Sequence, residues 1–333
     1  MIQRSLFVIF LPLILLSISA AQNTSFQYMR VGNQQDATTH PSAGTAMMGG
    51  GSDLDEAFRW LCAKADGGDF LVLRAHGDDA YNSYVNGLCK VNSVATLIIP
   101  DRKTAQDPAV AEIIHHAEAI FIAGGDQANY IHFWQGTLVQ DAINAHIAAG
   151  KPIGGTSAGL AVQGEFLYGA LNDPDDSELQ SKDALANPYH NQVTVVRDFL
   201  HIPNLKETIT DSHFAKRNRM GRTLVFLARI MQDGGSKHPR EIAIDEKSAF
   251  LLEPDGKGVV IGTGRGVYFL RPTQPPKVCR KEAPLDFRNI SAYHVPAGGH
   301  FDVRSWRGEG GNAYVLSVEQ GAIVSTLPNN SIY

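Results

Sequence analysis

Three short apolar runs follow one another with helical stretches between them: Asp69-Phe70-Leu71-Val72-Leu73-Arg74, Ala95-Thr96-Leu97-Ile98-Ile99-Pro100 and Ala119-Ile120-Phe121-Ile122-Ala123. A strand with one wet face would alternate apolar and polar residues. Continuous apolarity requires cover on both faces, which a parallel sheet flanked by helices provides. Residues 110–117 read as the helix between the last two strands, and residues 53–65 as a helix with Phe58, Leu61 and Cys62 on one side. Beyond Leu224 the pattern changes. A helix to Met231 and the loop Asp233-Gly234-Gly235-Ser236 precede strands at 242–244, 248–252, 259–261 and 266–270, with a hairpin turn at Pro254-Asp255-Gly256-Lys257-Gly258. Residues 315–318 and 322–324 also read as β. The expected fold is an α/β three-layer sandwich with a mostly parallel central sheet. Residues 46–275 would form the domain, 276–333 a β-rich extension packed on it, and 22–45 a loose polar segment.

Ligands of such sheets gather beyond the carboxyl ends of the strands, and three glycine-rich segments fall there. They are Gly49-Gly50-Gly51, Gly124-Gly125-Asp126-Gln127 and Gly155-Thr156-Ser157-Ala158-Gly159. The last fits a nucleophile elbow, a sharp strand-to-helix turn that exposes a serine hydroxyl. Its context agrees. Residues 142–149 are helix-like, Gly150 stops that helix, Lys151-Pro152-Ile153 begins a strand, and Leu160-Ala161-Val162 suits a buried helix start. A plain glycine turn is the competing reading of the pattern on its own.

A serine nucleophile needs a base, and histidine is the usual one because its pKa lies near neutrality. Of the twelve histidines, His213 has the strongest context. It follows the strand-like Glu207-Thr208-Ile209-Thr210 and opens a helix that Asp211 or Ser212 could cap. His115, His116 and His146 read as surface or structurally bonded residues. The orienting acid is best sought in Asp245-Glu246, after the strand-like Ile242-Ala243-Ile244, although an acidic pair at a hairpin is also an ordinary solvated turn. His76-Gly77-Asp78-Asp79 ends a strand nearby and reads as an Asx-type turn in preference to a pocket wall.

In this order, Gly124-Gly125-Asp126-Gln127, Gly155-Thr156-Ser157-Ala158-Gly159, Asp211-Ser212-His213-Phe214 with Arg217, Arg219 and Arg222, and Ile244-Asp245-Glu246 resemble the motifs of cyanophycinase and aspartyl dipeptidase. These are serine peptidases with a fold similar to class I glutamine amidotransferases. The resemblance covers roughly residues 45–275. It implies Ser157 as nucleophile, His213 as general base and Glu246 as orienting acid, meeting at one rim of a single sheet. It further implies oxyanion or substrate contacts from Gly125, Asp126, Gln127, Ala158 and Asp211, and arginines that hold substrate carboxylates. The chain order Ser, His, Glu differs from the Ser, acid, His of α/β-hydrolases. On an ideal helix opening at His213, Arg217 shares the histidine's face while Arg219 and Arg222 share another. Ser212 stands where cyanophycinases carry glutamine. The resemblance implies a homodimer, no metal and no cofactor.

The expected activity is a secreted serine exopeptidase acting on aspartyl peptide bonds, with the β-aspartyl–arginine polymer cyanophycin as one substrate. An α-aspartyl dipeptidase, a catalytically silent binding homologue, and a metal hydrolase built on His76, Asp78 and His115-His116 are the rivals. Export rests on the first 21 residues: Arg4, the apolar run from Leu6 to Leu16, and small residues at Ser19-Ala20-Ala21 read as a cleavable signal peptide, short for a membrane span, with an uncleaved anchor as the competing reading. In an oxidising compartment Cys62, Cys89 and Cys279 would give one disulfide and one free thiol, with Cys62–Cys89 preferred because the two are closest. Asn23-Thr24-Ser25 is a glycosylation sequon. A formal net charge of −5 without a basic run gives no support for nucleic-acid binding.

Overall fold

The computed structural model describes residues 26–174 and 177–333; the leader-like segment and Asn23 lie outside them. Ten strands form one sheet in the order Gln27–Gly32, Ser93–Ile98, Asp69–Arg74, Ala119–Ile122, Ile153–Thr156, Thr45–Met48, Ser248–Leu252, Lys257–Gly262, His300–Asp302, Arg307–Glu309. The five from Ser93–Ile98 to Thr45–Met48 are mutually parallel. Three of them, Asp69–Arg74, Ser93–Ile98 and Ala119–Ile122, correspond to the continuous apolar runs of the sequence, and both of their faces are covered. Leu71, Leu73, Leu97, Ile120 and Ile122 pack with Val110, Ile114, Trp134 and Ile143 of the helices Pro108–His116, Gln127–Trp134 and Leu138–Ala148. The alternate residues Phe70, Val72, Val94 and Phe121 pack with Phe58, Leu61 and Val85 of Asp55–Lys64 and Ala80–Leu88. This period-two division is what a pleated strand between two layers requires.

A second sheet of eight strands runs Ala322–Ser325, Asn312–Glu319, Phe287–Val295, Val267–Pro272, Arg240–Ile244, Thr208–Asp211, Phe166–Tyr168, Val195–Arg197. Thr208–Asp211 is parallel to both Arg240–Ile244 and Phe166–Tyr168. Ile242, Ile244, Val267 and Phe269 turn toward the first sheet and join its core. Ala243, Tyr268 and Leu270 face the other way, onto Leu224, Phe226 and Leu227 of the helix Met220–Gln232. The fold is therefore the expected α/β layering about a parallel core, with additional β structure toward the C-terminus.

Residues 22–45, expected to be loose, include a correction. Gln27–Gly32 pairs antiparallel with Ser93–Ile98 as the edge strand of the first sheet. Its half-buried, mixed residues hid it from a search for apolar runs. Cys62 and Cys89 form a disulfide between the helix Asp55–Lys64 and the end of Ala80–Leu88, and Cys279 is a buried free thiol. Among the described residues no helix is long and apolar enough to cross a membrane.

Candidate active site

The strand Ile153–Thr156 stops abruptly at Ser157, and a short helix, Ala158–Ala161, starts at the next residue. Ser157 has φ 53° and ψ −114°, a region that costs a non-glycine residue of order 1–3 kcal/mol unless its surroundings enforce it. They do. Its N–H donates to the Met48 carbonyl of the neighbouring strand (3.1 Å), and its own carbonyl accepts from Leu160 (3.1 Å) and Ala161 (2.9 Å). Gly159 is what lets this short helix press on the sheet, since a Cβ there would lie 1.9 Å from the Ile122 carbonyl oxygen. The sharp turn is the elbow that the five-residue motif predicts.

His213 approaches from the second sheet, just past the end of Thr208–Asp211. Its backbone also has positive φ (47°), and its N–H donates to the Gly49 carbonyl at 2.8 Å. The imidazole lies against Gly50, where a Cβ would come within 2.4 Å of the ring. The glycine loop after Thr45–Met48 thus serves as a berth for the histidine. Ser157 Oγ is 2.7 Å from His213 Nε2, and His213 Nδ1 is 2.7 Å from Glu246 Oε1. A carboxylate can only accept, so Nδ1 carries the proton toward Glu246 and Nε2 is left as the acceptor for the serine hydroxyl.

Electrostatics support that tautomer. Burial lowers the His213 pKa, and the nearby Arg217 and Arg219 charges lower it further against the opposing pull of Glu246, so the ring is neutral at neutral pH. The Glu246 carboxyl is held below its usual range, chiefly by the hydrogen bond from His213. The three predicted residues are brought together as a continuous relay. They come from two sheets, however, and not from one rim of a single sheet.

Beside the serine, the Gly124-Gly125 loop ends the strand Ala119–Ile122; a Cβ on Gly124 would sit 3.4 Å from the Ser157 Cβ. Neither the Gly125 nor the Ala158 amide donates to a described residue, so both are free for an anion forming at the serine. Asp126 caps the helix Gln127–Trp134, its Oδ1 accepting from Ala128 N at 2.9 Å. Gly125, Asp126, Gln127 and Ser157 line a cavity of about 470 Å³ that also takes in His213 and the three arginines.

The arginines need correction. No helix opens at His213; residues 213–219 form turns, and the helix begins at Met220. The free carboxylate of Asp211 was a better partner for arginine than for the cap. Asp211, expected at the substrate, is 2% exposed and does not line the cavity. Arg222 binds it through two parallel contacts, Nε to Oδ2 at 2.9 Å and Nη2 to Oδ1 at 2.6 Å, and Arg219 Nη1 adds a third at 3.3 Å. Desolvation alone would raise the Asp211 pKa, but the two guanidinium charges outweigh it and keep the carboxyl ionised. Arg219 further donates to the Ser212 carbonyl (2.8 Å) and to Glu178. Among the described residues the Arg217 side chain, 44% exposed, pairs with Glu178 alone, at 3.3 Å. The three arginines therefore do not divide between two helix faces; among the described residues Arg219 Nε has no hydrogen-bond partner, and Arg217 is the most exposed of the three.

Sequence reasoning missed Tyr168, Asp173 and Glu178, which also line this cavity. The acidic run Asp173-Pro174-Asp175-Asp176-Ser177-Glu178 was the signal available; Asp175 and Asp176 lie outside the described residues. The residues of the metal-hydrolase rival are not gathered. His76 is exposed and edge-on to Phe133, Asp78 accepts from Ala80 N at 3.2 Å in the expected Asx-type turn, and His116 is bracketed by Asp36 (2.6 Å) and Glu112 (3.0 Å). That last trio borders a separate, mainly apolar cavity of about 390 Å³, which Ser157 does not line.

With this geometry in view, comparison with known proteins is informative. Residues 76–187 match the sequence model of Peptidase family S51. A cyanophycinase of Trichormus variabilis is 28% identical over 216 residues, covering 62% of this chain and 64% of that protein. A cyanophycinase of Geminocystis herdmanii is 30% identical over 171 residues, covering 50% and 55%. The crystal structure of a peptidase from an acI-B1 Actinobacterium superposes with TM-score 0.48 at 16% identity, over 69% of this chain and 91% of that one. The chain thus spans just under two thirds of the length of the Trichormus relative. An α/β protein with an elbow serine, it is similar over residues 76–187 to peptidase family S51 and, over a longer stretch, to the cyanophycinases.

Proposed function

We propose that the protein is a serine peptidase that hydrolyses aspartyl peptide bonds, with β-aspartyl–arginine units of a cyanophycin-like polymer as its substrate class. The observation that carries this reading is the relay of two 2.7 Å contacts from Ser157 through His213 to Glu246 at the wall of one cavity. Ser157 Oγ attacks the scissile carbonyl carbon as His213 Nε2 takes its proton. The Gly125 and Ala158 amides receive the oxyanion. His213 then returns the proton to the leaving amine, the C–N bond breaks, and an acyl-enzyme on Ser157 remains. Water, deprotonated by the same imidazole, releases the acid and regenerates the serine. Glu246 keeps the ring in the productive tautomer throughout. The similarity to cyanophycinases supports the substrate class, and the leader-like residues 1–21 support export.

A second reading, an α-aspartyl dipeptidase, is favoured by one observation: Arg219 and Arg222 are already engaged internally, which leaves few fixed contacts for a polymer. Incubating the full chain and its Ser157→Ala variant with cyanophycin and with α- and β-aspartyl dipeptides, and identifying the products by mass spectrometry, tests both. The proposal expects β-aspartyl–arginine from the parent and a loss exceeding about a thousand-fold in the variant, beyond what one oxyanion donor is worth. Equal rates for the two proteins would refute it, and cleavage confined to α-linked dipeptides would establish the second reading.

A further inference from the structure

Three arginines reach the cavity, and two internal carboxylates serve them in different ways. Asp211 is fully buried and grips Arg222 through both oxygens, so it is a permanent counter-ion. Glu178 is a different kind of partner. A single oxygen, Oε2, accepts from both Arg217 Nη1 and Arg219 Nη2, while its side chain remains 31% exposed beside the cavity. Burial opposes its charge, but Arg219 foremost, then Arg222 and Arg217, hold the carboxyl ionised below its usual range. One carboxylate oxygen shared by two guanidinium groups, in the cavity that holds Ser157, is the arrangement that an acidic ligand would itself adopt.

We propose that Glu178 stands in for a substrate carboxylate and is displaced by it, so that this residue sets how strongly the cavity favours carboxylate-bearing peptides. The inference rests on the peptidase reading for the identity of the ligand, not for the contact. A carboxylate entering the cavity gains Arg217, whose side chain is 44% exposed and pairs among the described residues with Glu178 alone, and competes with Glu178 for Arg219. Asp211 and Arg222 stay in place. Half-exposed ion pairs are individually weak, which makes such an exchange reversible.

The test is calorimetric binding of N-acetyl-aspartate to full-length Ser157→Ala protein, with and without Glu178→Gln. Removing the competing charge while keeping the side chain's shape should tighten binding roughly two- to fivefold, the size expected of a part-exposed ion pair. The gain should vanish when Arg217→Gln is added. Unchanged or weaker binding would overturn the proposal and make Glu178 a scaffold for the arginines. A gain that persists without Arg217, or no binding by either protein, would overturn it too. Should Glu178→Gln misfold, Glu178→Asp, with a shorter reach, must shift binding in the same direction. Because the readout uses protein without its serine, it is independent of hydrolysis: failure of the peptidase reading would appear as an unreactive Ser157 in the parent, with the binding shift intact.

Discussion

Ser157 and His213 are both non-glycine residues held at positive φ, 53° and 47°, and each is held there by a carbonyl of the segment 48–49. One stretch of backbone thus fixes the serine and the histidine relative to each other, which is how a short contact survives between residues 56 apart in sequence. The pH dependence follows. The proposed mechanism needs neutral His213, whose pKa burial depresses below the ordinary 6.5. Protonation as pH falls through that lowered value removes the base, so kcat/KM should be level at neutral pH and fall along a single acid limb centred below 6.5. A pH–rate profile on an aspartyl peptide checks this, and a midpoint above 6.5 would contradict it. Ser157 and Glu246 were readable in sequence because an elbow and a strand-end acid are local patterns, completed by resemblance. The true partners of Arg219 and Arg222 were not. Asp211 and Glu178 meet them only through turns and a loop whose course no spacing rule supplies.

At the level of elements, the long apolar strands were legible and the modest ones were not. Asp69–Arg74 and Ala119–Ile122 are buried at every position but Arg74, and their composition says so. The helix Ala80–Leu88, rich in Asn, Ser, Tyr and Gly, offers little propensity, and only Asn82 and Val85 of it are buried. The expected helix at 213 failed for a definite reason. Asp211 at the end of its strand is claimed by Arg222, in the first turn of Met220–Gln232, and the eight intervening residues, 212–219, bring His213 to the serine. This ion pair joins helix to strand beneath the site. Burial and then the Asp211 charge push the neighbouring Glu241 carboxyl well above its usual range, so it is neutral. Removing the cation should therefore be severe: Arg222→Ala leaves Asp211 buried with only Arg219 in partial compensation, and should cost about 3–5 kcal/mol of stability. Urea unfolding measures it; a loss under about 1 kcal/mol would mean that the pair is replaceable.

Across the whole molecule, the cavity sits where the C-terminal ends of parallel strands from two sheets converge. The first sheet's strand ends contribute Gly125 to Gln127 and Ser157 to its wall; the second contributes His213, which Glu246 backs. The sequence disclosed the parallel core and the strand ends, but not that a second sheet would pack its Ile242, Ile244 and Phe269 against the first. Long-range packing of that kind leaves no mark on local periodicity. It is nonetheless what brings His213 to Ser157, so the proposed chemistry depends on the two sheets keeping their mutual position. The most direct measurement is covalent labelling of the full chain with a fluorophosphonate, mapped by peptide mass spectrometry. The account predicts one adduct, on Ser157, formed far more slowly when His213 is replaced by alanine. An unmodified Ser157, or labelling that ignores His213, would contradict it.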